Sequence, residues 1–463
     1  MKSFLKRLSI SFLANFITIM VSLAATVILP KFLELEQYGY WQVYLFYTSY
    51  VGLMHLGLND GIYLRYGGES YNKLDYSMFH GQYKILLIVE LCMAFVVIGI
   101  SVAKMTDEYM LIWIGLALCM LLTNVRYMFI YILQATNRIK EFAVITIMDR
   151  ILFMFFMFLF IKQTTFVYFI VADLIARLFS LIIGQIYCKE IVLSSGKCDS
   201  TVISEITKNI AAGIQLLFAN LASSCIIGIV RYGIQKCWDI TVFGRISFML
   251  SISNLFVIFI NAMSVVIYPL LRRIHESKQR DYYFVLDNLL SAILCFLLMF
   301  YYPIKEIISW WLPEYREAMR YVCVLFPLFI FEGKTALLYN TYLKVHRKEN
   351  LIFKINLVFV FISFVCTILF AFIYRDLDCA VFAILFLIAG RCFTSQVICA
   401  KIVDQNYRFD ITATSLYVCF YLLIGLNFAG LKAYIYLTFI IIAYEVIRLK
   451  KTLAAFRFIK EKV

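Results

Sequence analysis

Charge is scarce in this chain. Asp, Glu, Lys and Arg make up 16% of its 463 residues against 63% apolar, and the mean hydropathy is +0.86. That balance excludes a soluble domain of this size. Also missing is any C-x-x-C pair or metal-ligand spacing among the 13 cysteines, which are scattered singly, mostly inside apolar runs. They read as small buried apolar residues, so a redox or metal protein is excluded and no metal is expected. There is no G-x-x-x-x-G-K-[ST] loop and no polar segment long enough for an ATPase domain, which removes nucleotide hydrolysis as an energy source. No small-x-small cleavage site follows the first apolar run, which extends from Leu8 to about Leu29. That run is too long for a signal-peptide core and is expected to remain as an uncleaved first helix.

What is present is a series of about fourteen apolar segments, each long enough to cross a bilayer. They are expected at 8–29, 40–59, 84–103, 109–133, 142–161, 165–187, 210–233, 243–268, 284–303, 317–343, 351–374, 379–400, 411–429 and 432–447. The expected fold is therefore an all-α polytopic membrane protein. Lys and Arg cluster in alternate loops, at Lys2, Lys6, Arg7, Arg65, Lys73, Arg138, Lys140, Arg272, Arg273, Lys278, Arg280, Arg347 and Lys348. With these on the inside, both termini are cytoplasmic. The net charge of +14 is then a topology signal whose counterpart is anionic membrane lipid. Nucleic acid is excluded as a partner because the basic residues form no continuous patch. After Arg448, Leu449, Leu453, Phe456 and Ile459 recur at helical spacing among basic residues. This predicts either a basic amphipathic tail on the inner leaflet or a plain charged helix end.

A duplication runs through the segments. Phe12-Leu13-Ala14-Asn15 recurs as Leu217-Phe218-Ala219-Asn220, and Tyr38-Gly39 as Phe243-Gly244. Asn137-Arg138-Ile139-Lys140-Glu141 faces His346-Arg347-Lys348-Glu349-Asn350, and Leu174-Ile175-Ala176-Arg177 faces Leu387-Ile388-Ala389-Gly390-Arg391. The offsets drift only from about 205 to about 214 and stay in order. Six segments per copy is an even number, so the copies are parallel, related by a pseudo-two-fold axis along the membrane normal. The expected organisation is an N-lobe at 1–190, an inter-lobe cytoplasmic loop at 191–209 and a C-lobe at 210–402. Two added helices follow at 403–447, then the tail at 448–463. Two lobes around a cleft are the usual chassis of alternating access, which favours a transporter over a membrane enzyme.

Local sequences sharpen this. Gln37-Tyr38-Gly39-Tyr40-Trp41 opens the second segment and Leu56-Gly57-Leu58-Asn59-Asp60-Gly61 closes it. Gln134-Ala135-Thr136-Asn137-Arg138 follows the fourth, and Trp311-Leu312-Pro313-Glu314-Tyr315-Arg316-Glu317-Ala318 precedes the tenth. With the six-plus-six-plus-two plan, the whole chain resembles the multidrug/oligosaccharidyl-lipid/polysaccharide exporter superfamily, and within it the bacterial O-antigen-type polysaccharide flippases. It departs from them at Val230-Arg231, where such flippases often carry an Asp-Arg pair. The resemblance implies residence in the bacterial inner membrane. Its implied substrate is an undecaprenyl-diphosphate-linked oligosaccharide moved from the inner to the outer leaflet, with polysaccharide polymerase machinery as a possible downstream partner. Such a diphosphate needs fixed cations in a wet cleft, Arg above all.

Arg and Asp interrupt several segments at mid-depth, where charge is costly and rarely persists without a task. Asp149, Arg150, Asp173 and Arg177 fall in the fifth and sixth segments, with Asp149 and Arg177 at one depth and Asp173 and Arg177 as i, i+4 neighbours. They form either a structural ion-pair cluster or the lining of a cavity. Arg391, the repeat-mate of Arg177, has no carboxylate in its own segment, so it is a phosphate ligand or a salt-bridge partner across the lobes. Glu332 and Lys334 lie on different faces of the tenth segment, which Pro327 should kink, and one of them should face the cavity. Arg126 either snorkels or lines the cavity. Asp60 and Arg65 are entrance residues or interface charges, and Arg231 and Arg245 are rim residues or a receiving ring for the diphosphate. Coupling to a proton or sodium gradient would fall to Asp149, Asp173, Glu332 and Asp60. A drug antiporter of the same superfamily should show a carboxylate-dominated cavity. A polymerase or glycosyltransferase should need a large outer loop, and neither feature is found in the sequence.

Overall fold

The computed structural model describes residues 2–195, 199–272 and 276–462; side chains at 2–15, 19, 258–278, 456 and 458–462 are outside the description. Lys2, Lys6, Arg7, Arg272, Arg273, Lys278 and the sequence at 12–15 therefore lie outside the described side chains. Among the described residues the secondary structure is entirely helical. The first helices are α1 (Lys2–Phe32), α2 (Leu35–Thr48), α3 (Leu58–Arg65), α4 (Tyr76–Lys104), α5 (Asp107–Ala135), α6 (Ile139–Leu159), α7 (Phe166–Tyr187) and the short α8 (Lys189–Val192). After these come α9 (Ser200–Cys237), α10 (Ile240–Arg272), α11 (Glu276–Leu297), α12 (Tyr301–Trp311), α13 (Met319–Leu325), α14 (Leu328–Lys334) and α15 (Asn340–Val345). The last four are α16 (Glu349–Thr367), α17 (Leu377–Ile402), α18 (Arg408–Asn427) and α19 (Gly430–Lys462).

Twelve helical runs among the described residues are long and apolar enough to cross a membrane. α1 and the broken run α2–α3 take the places of the first two expected segments. The chain is a multi-pass membrane protein. Its outward apolar surface says the same: Ile88, Phe95, Val96 and Val102 on α4 are exposed, as lipid-facing side chains should be. The helices gather into two compact units, Met1–Leu221 and Ala222–Val463.

The helix ends follow local chemistry. Asp75 caps α4 by accepting from Met78 N at 3.1 Å, and Asp376 caps α17 by accepting from Cys379 N at 3.1 Å. Asp107 and Glu108 sit in the first turn of α5, where negative charge meets the helix dipole favourably. α5 is the most enclosed helix of the first unit, packed by α2, α3, α4 and α7, and the run Pro313–Val345 is the most enclosed of the second.

These two central helices are repeat-mates, and their ends match bond for bond. α5 ends with Asn137 at φ 62° and Arg138 N donating to Leu133 O at 2.8 Å. The second copy ends with Arg347 at φ 53° and Lys348 N donating to Leu343 O at 2.8 Å, which moves the expected alignment of Asn137 from His346 to Arg347. Starts match too: Tyr38 N donates to Glu34 O opening α2, and Phe243 N to Asp239 O opening α10. Upstream in the second copy, Thr335–Tyr339 is a π turn. A π turn holds one extra residue, so the register counted back from this end shifts by one residue across it.

Three expectations are corrected. The segment at 40–59 is not one helix. It breaks into α2, a 3₁₀ turn at Val51–His55 and α3, with Leu56 at φ 52° and Gly57 at φ 85°. Gly57 and Gly61 bring α3 onto α9 so closely that a Cβ on Gly57 would lie 2.7 Å from Ile214 N, and one on Gly61 would overlap the Asn209 carbonyl. Only glycine permits that approach. The loop expected at 191–209 is shorter, because α9 begins at Ser200. The tail is no separate surface helix, since α19 runs unbroken to Lys462 and Arg448 is fully buried.

Candidate functional site

In the first unit, charges from α5, α6 and α7 converge. The Arg177 guanidinium holds Asp173 on its own helix (Nε to Oδ2, 2.7 Å) and donates to Thr123 Oγ1 of α5 at 2.9 Å. Tyr44 of α2 donates to the same Asp173 oxygen at 2.6 Å. Arg126 of α5 is buried and ion-paired to Asp149 of α6, and it donates to Ser180 Oγ of α7 at 3.2 Å. It therefore does not snorkel. Asp149 and Arg177, expected at one depth, belong to one polar layer but are served by different partners. Arg150 is the outermost member, about a third exposed, with its Nε 3.6 Å from Asp149 Oδ2. The layer holds three guanidiniums against two carboxylates.

In the second unit Arg391 is not unpaired. Its Nη2 lies 2.5 Å from Glu332 Oε2 and its Nη1 donates to Ser223 Oγ at 2.8 Å. Its carboxylate comes from another helix of the same unit. The repeat explains why. With the register of the central helices, Glu332 occupies the place of Thr123, and Arg177 contacts Thr123 as Arg391 contacts Glu332. One unit keeps its counter-charge at Asp173, four residues before the arginine. The other has Leu387 there and places the charge on the central helix.

Glu332 and Lys334 do lie on different faces, but both are ion-paired. Lys334 Nζ sits 3.0 Å from Asp287 Oδ1 of α11, to which Tyr339 also donates at 3.1 Å. Pro327 stands at the break between α13 and α14, as expected of a kink. Asp287 is a site residue that the sequence reading missed, although its interruption of an expected segment was signal enough. So is Asp410, which holds Arg448 Nη1 at 2.9 Å and Lys451 Nζ at 3.1 Å. Arg448 continues to Asn288 Oδ1 at 2.9 Å. A cavity of about 300 Å³ reaches this chain of polar groups, lined by Tyr283, Asp287, Asn288, Gln396, Asp410 and Lys451.

The remaining expected residues are dispersed. Arg65 pairs with Glu205 (2.5 Å) and bonds Asn209 beside the α3–α9 crossing, and Asp60 is buried with its Oδ2 3.8 Å from His55 Nε2. Arg231 donates to Ser247 Oγ at 3.0 Å, and Arg245 lies 3.6 Å from Glu317. These four do not join the polar layers described above. Among the described residues no group of His, Cys, Asp and Glu is arranged to hold a metal.

No protein-family model and no curated protein sequence matches the chain. Solved structures do. One, described as the outward-facing conformation of a multidrug resistance MATE family transporter of the MOP superfamily, aligns with a TM-score of 0.59 at 12% identity. The alignment covers 86% of this chain and 94% of that one. Another, described as the inward-facing conformation of such a transporter, aligns at 0.60 and 11% identity over 86% and 97%. At this identity the likeness is one of fold, and the fold is that of these transporters.

Proposed function

We propose that the protein is a transporter of the alternating-access kind that carries an undecaprenyl-diphosphate-linked oligosaccharide across the membrane. The fold supports transport, since solved transporters with this fold include one described as outward-facing and one as inward-facing. The observation that carries the substrate class is the cation surplus of the first unit's polar layer, with Arg150 its accessible member. A diphosphate needs a fixed, permanently charged fork, and Arg keeps its charge at any depth. Arg150, held only loosely by an Asp149 already served by Arg126, is free to exchange carboxylate for phosphate. Arg391 takes the same role less readily, because substrate must displace Glu332.

The drug-antiporter reading has the names of the structural neighbours behind it. A site for organic cations would call for carboxylates in excess, and both ion-paired layers lack them. The test is flipping by purified protein in liposomes with an undecaprenyl-diphosphate oligosaccharide, comparing wild type with Arg150→Ala and Arg391→Ala. Flipping lost at least about tenfold in a folded Arg150→Ala protein, equivalent to about 1.4 kcal/mol of transition-state or binding free energy, supports the reading. Absent flipping by folded wild type, together with ethidium efflux, would replace it by the antiporter.

A further inference from the structure

A buried carboxylate lies outside the polar layers and hydrogen-bonds to no residue placed so far. Glu90 lies in the middle of α4, on the buried face that also carries Gln82, Leu86 and Ala94, and is itself fully buried. Among the described residues it contacts no cation, and its one polar partner is Asn124 of α5, whose Nδ2 donates to Oε1 at 2.7 Å. The second hydrogen of that amide goes to Val51 O at 3.0 Å, the first carbonyl of the 3₁₀ turn into which α2 breaks. Asn59 of α3, on the far side of the break, donates to Asn124 O at 3.0 Å. Glu90, Asn124 and Asn59 are all fully buried, and each retains one oxygen with no hydrogen-bond partner: Glu90 Oε2, Asn124 Oδ1 and Asn59 Oδ1.

Three orphaned acceptors along one hydrogen-bonded chain, one of them on the carboxylate itself, are short of hydrogen, and a bare carboxylate in that place would be very costly. We propose that Glu90 holds a proton on Oε2, pairing acid to amide with Asn124, and that this is the proton the transporter exchanges as the second segment re-forms around its break. The proposal rests on the transport reading for its second half only. Glu90 belongs to no group of His, Cys, Asp and Glu among the described residues that is arranged to hold a metal, so a proton is the better occupant. The titratable groups on neighbouring elements are few. His55 in the 3₁₀ turn accepts from Gly57 N through Nδ1 at 3.1 Å, so it is neutral with its remaining hydrogen toward Asp60. Arg126 on α5 is committed to Asp149. No charge therefore opposes the neutral form of Glu90, and no cation competes to ionise it.

Exchange requires water to reach a fully enclosed group. The break supplies the route: Asn124 ties Glu90 to Val51 O, so extending α2 through Val51–His55 would withdraw that carbonyl and open the acid–amide pair. Loss of the proton and repair of the helix are thus linked.

The first arm of the test needs no substrate. Infrared difference spectra of purified protein in nanodiscs, at neutral pH, should show a protonated-carboxyl band that is slow to shift in D₂O. The band should be lost in Glu90→Gln and unmoved by sodium. A wild type lacking the band, or losing it on adding sodium, overturns the proposal. Asn124→Asp is the second variant, should Glu90→Gln fail to fold: two carboxyls sharing one proton must shift the same band, and an unmoved band overturns the assignment. The second arm applies a pH gradient to liposomes carrying undecaprenyl-diphosphate oligosaccharide. Coupling of one proton per substrate shifts the steady-state distribution about tenfold per pH unit in wild type, and Glu90→Gln should abolish that dependence while still exchanging substrate. A full pH response in Glu90→Gln overturns the coupling role. If the band is present and wild type moves no oligosaccharide, the substrate reading has failed while the protonated site stands.

Discussion

At the residue scale, the buried charges differ in what their loss should do. Arg126 and Asp149 are both buried, so truncating Arg126 strands a carboxylate in a low-dielectric interior. Removing one partner of such a pair typically costs about 3–5 kcal/mol. Arg150→Ala removes a partly exposed third member and leaves Asp149 paired. Thermal melts in detergent should therefore show Arg126→Ala unfolding well below wild type, with Arg150→Ala close to it. Equal melting temperatures would mean that Asp149 does not depend on Arg126. The sequence disclosed that Asp149, Arg150, Asp173 and Arg177 interrupt apolar helices, and an i, i+4 spacing gave the Arg177–Asp173 pair directly. It could not disclose that Arg391 meets Glu332, because that contact depends on the rotation of two helices about their axes. Hydropathy carries no information on rotation. Asp287 and Glu90 were equally visible as interruptions, but each finds its partner on another helix, so neither carries a local spacing that marks its role.

At the element scale, the second membrane segment is where sequence and structure part. Its composition is apolar enough for one continuous helix, and length alone argues for that. The break arises from a tertiary demand: Gly57 and Gly61, four residues apart, must meet Gly213 of α9 at backbone distance. Asn124 then donates to the Val51 carbonyl at the break, the kind of side-chain support that irregular backbone at membrane depth calls for. Gly61→Ala would drive its Cβ into the Asn209 carbonyl, and overpacking of this kind costs about 1–3 kcal/mol or more. Gly52→Ala, in the 3₁₀ turn with open space around it, is the matched control. Protease resistance in detergent should drop for Gly61→Ala and hold for Gly52→Ala. A drop in both would locate the sensitivity in the turn itself rather than in the helix crossing.

At the scale of the whole molecule, orientation decides the direction of transport, and it rests on loop charge alone. With the N-terminus inside, eleven segments precede the connection at Tyr374–Asp376, an odd number that places this connection outside. Cys379, exposed just beyond it, is then the natural thiol to report on that side. Cys92 and Cys419 are exposed too, but on the mid-portions of α4 and α18, where lipid excludes an aqueous reagent. Cys188 is silent for another reason: burial pushes its thiol up to about 12, and the hydrogen bond from Tyr71 offsets only part of that. The reactive species is the thiolate, formed only as pH rises through that value, so Cys188 stays unreactive at neutral pH. A membrane-impermeant maleimide should therefore label intact cells at Cys379, and Cys379→Ser should remove most of the signal. Ser70→Cys, in the exposed connection between α3 and α4, should label on that background only in inverted vesicles. The opposite pattern would reverse the orientation. A lipid-linked sugar assembled on the inner face would then have to load at the face now assigned to release, and the export reading would fall with the topology.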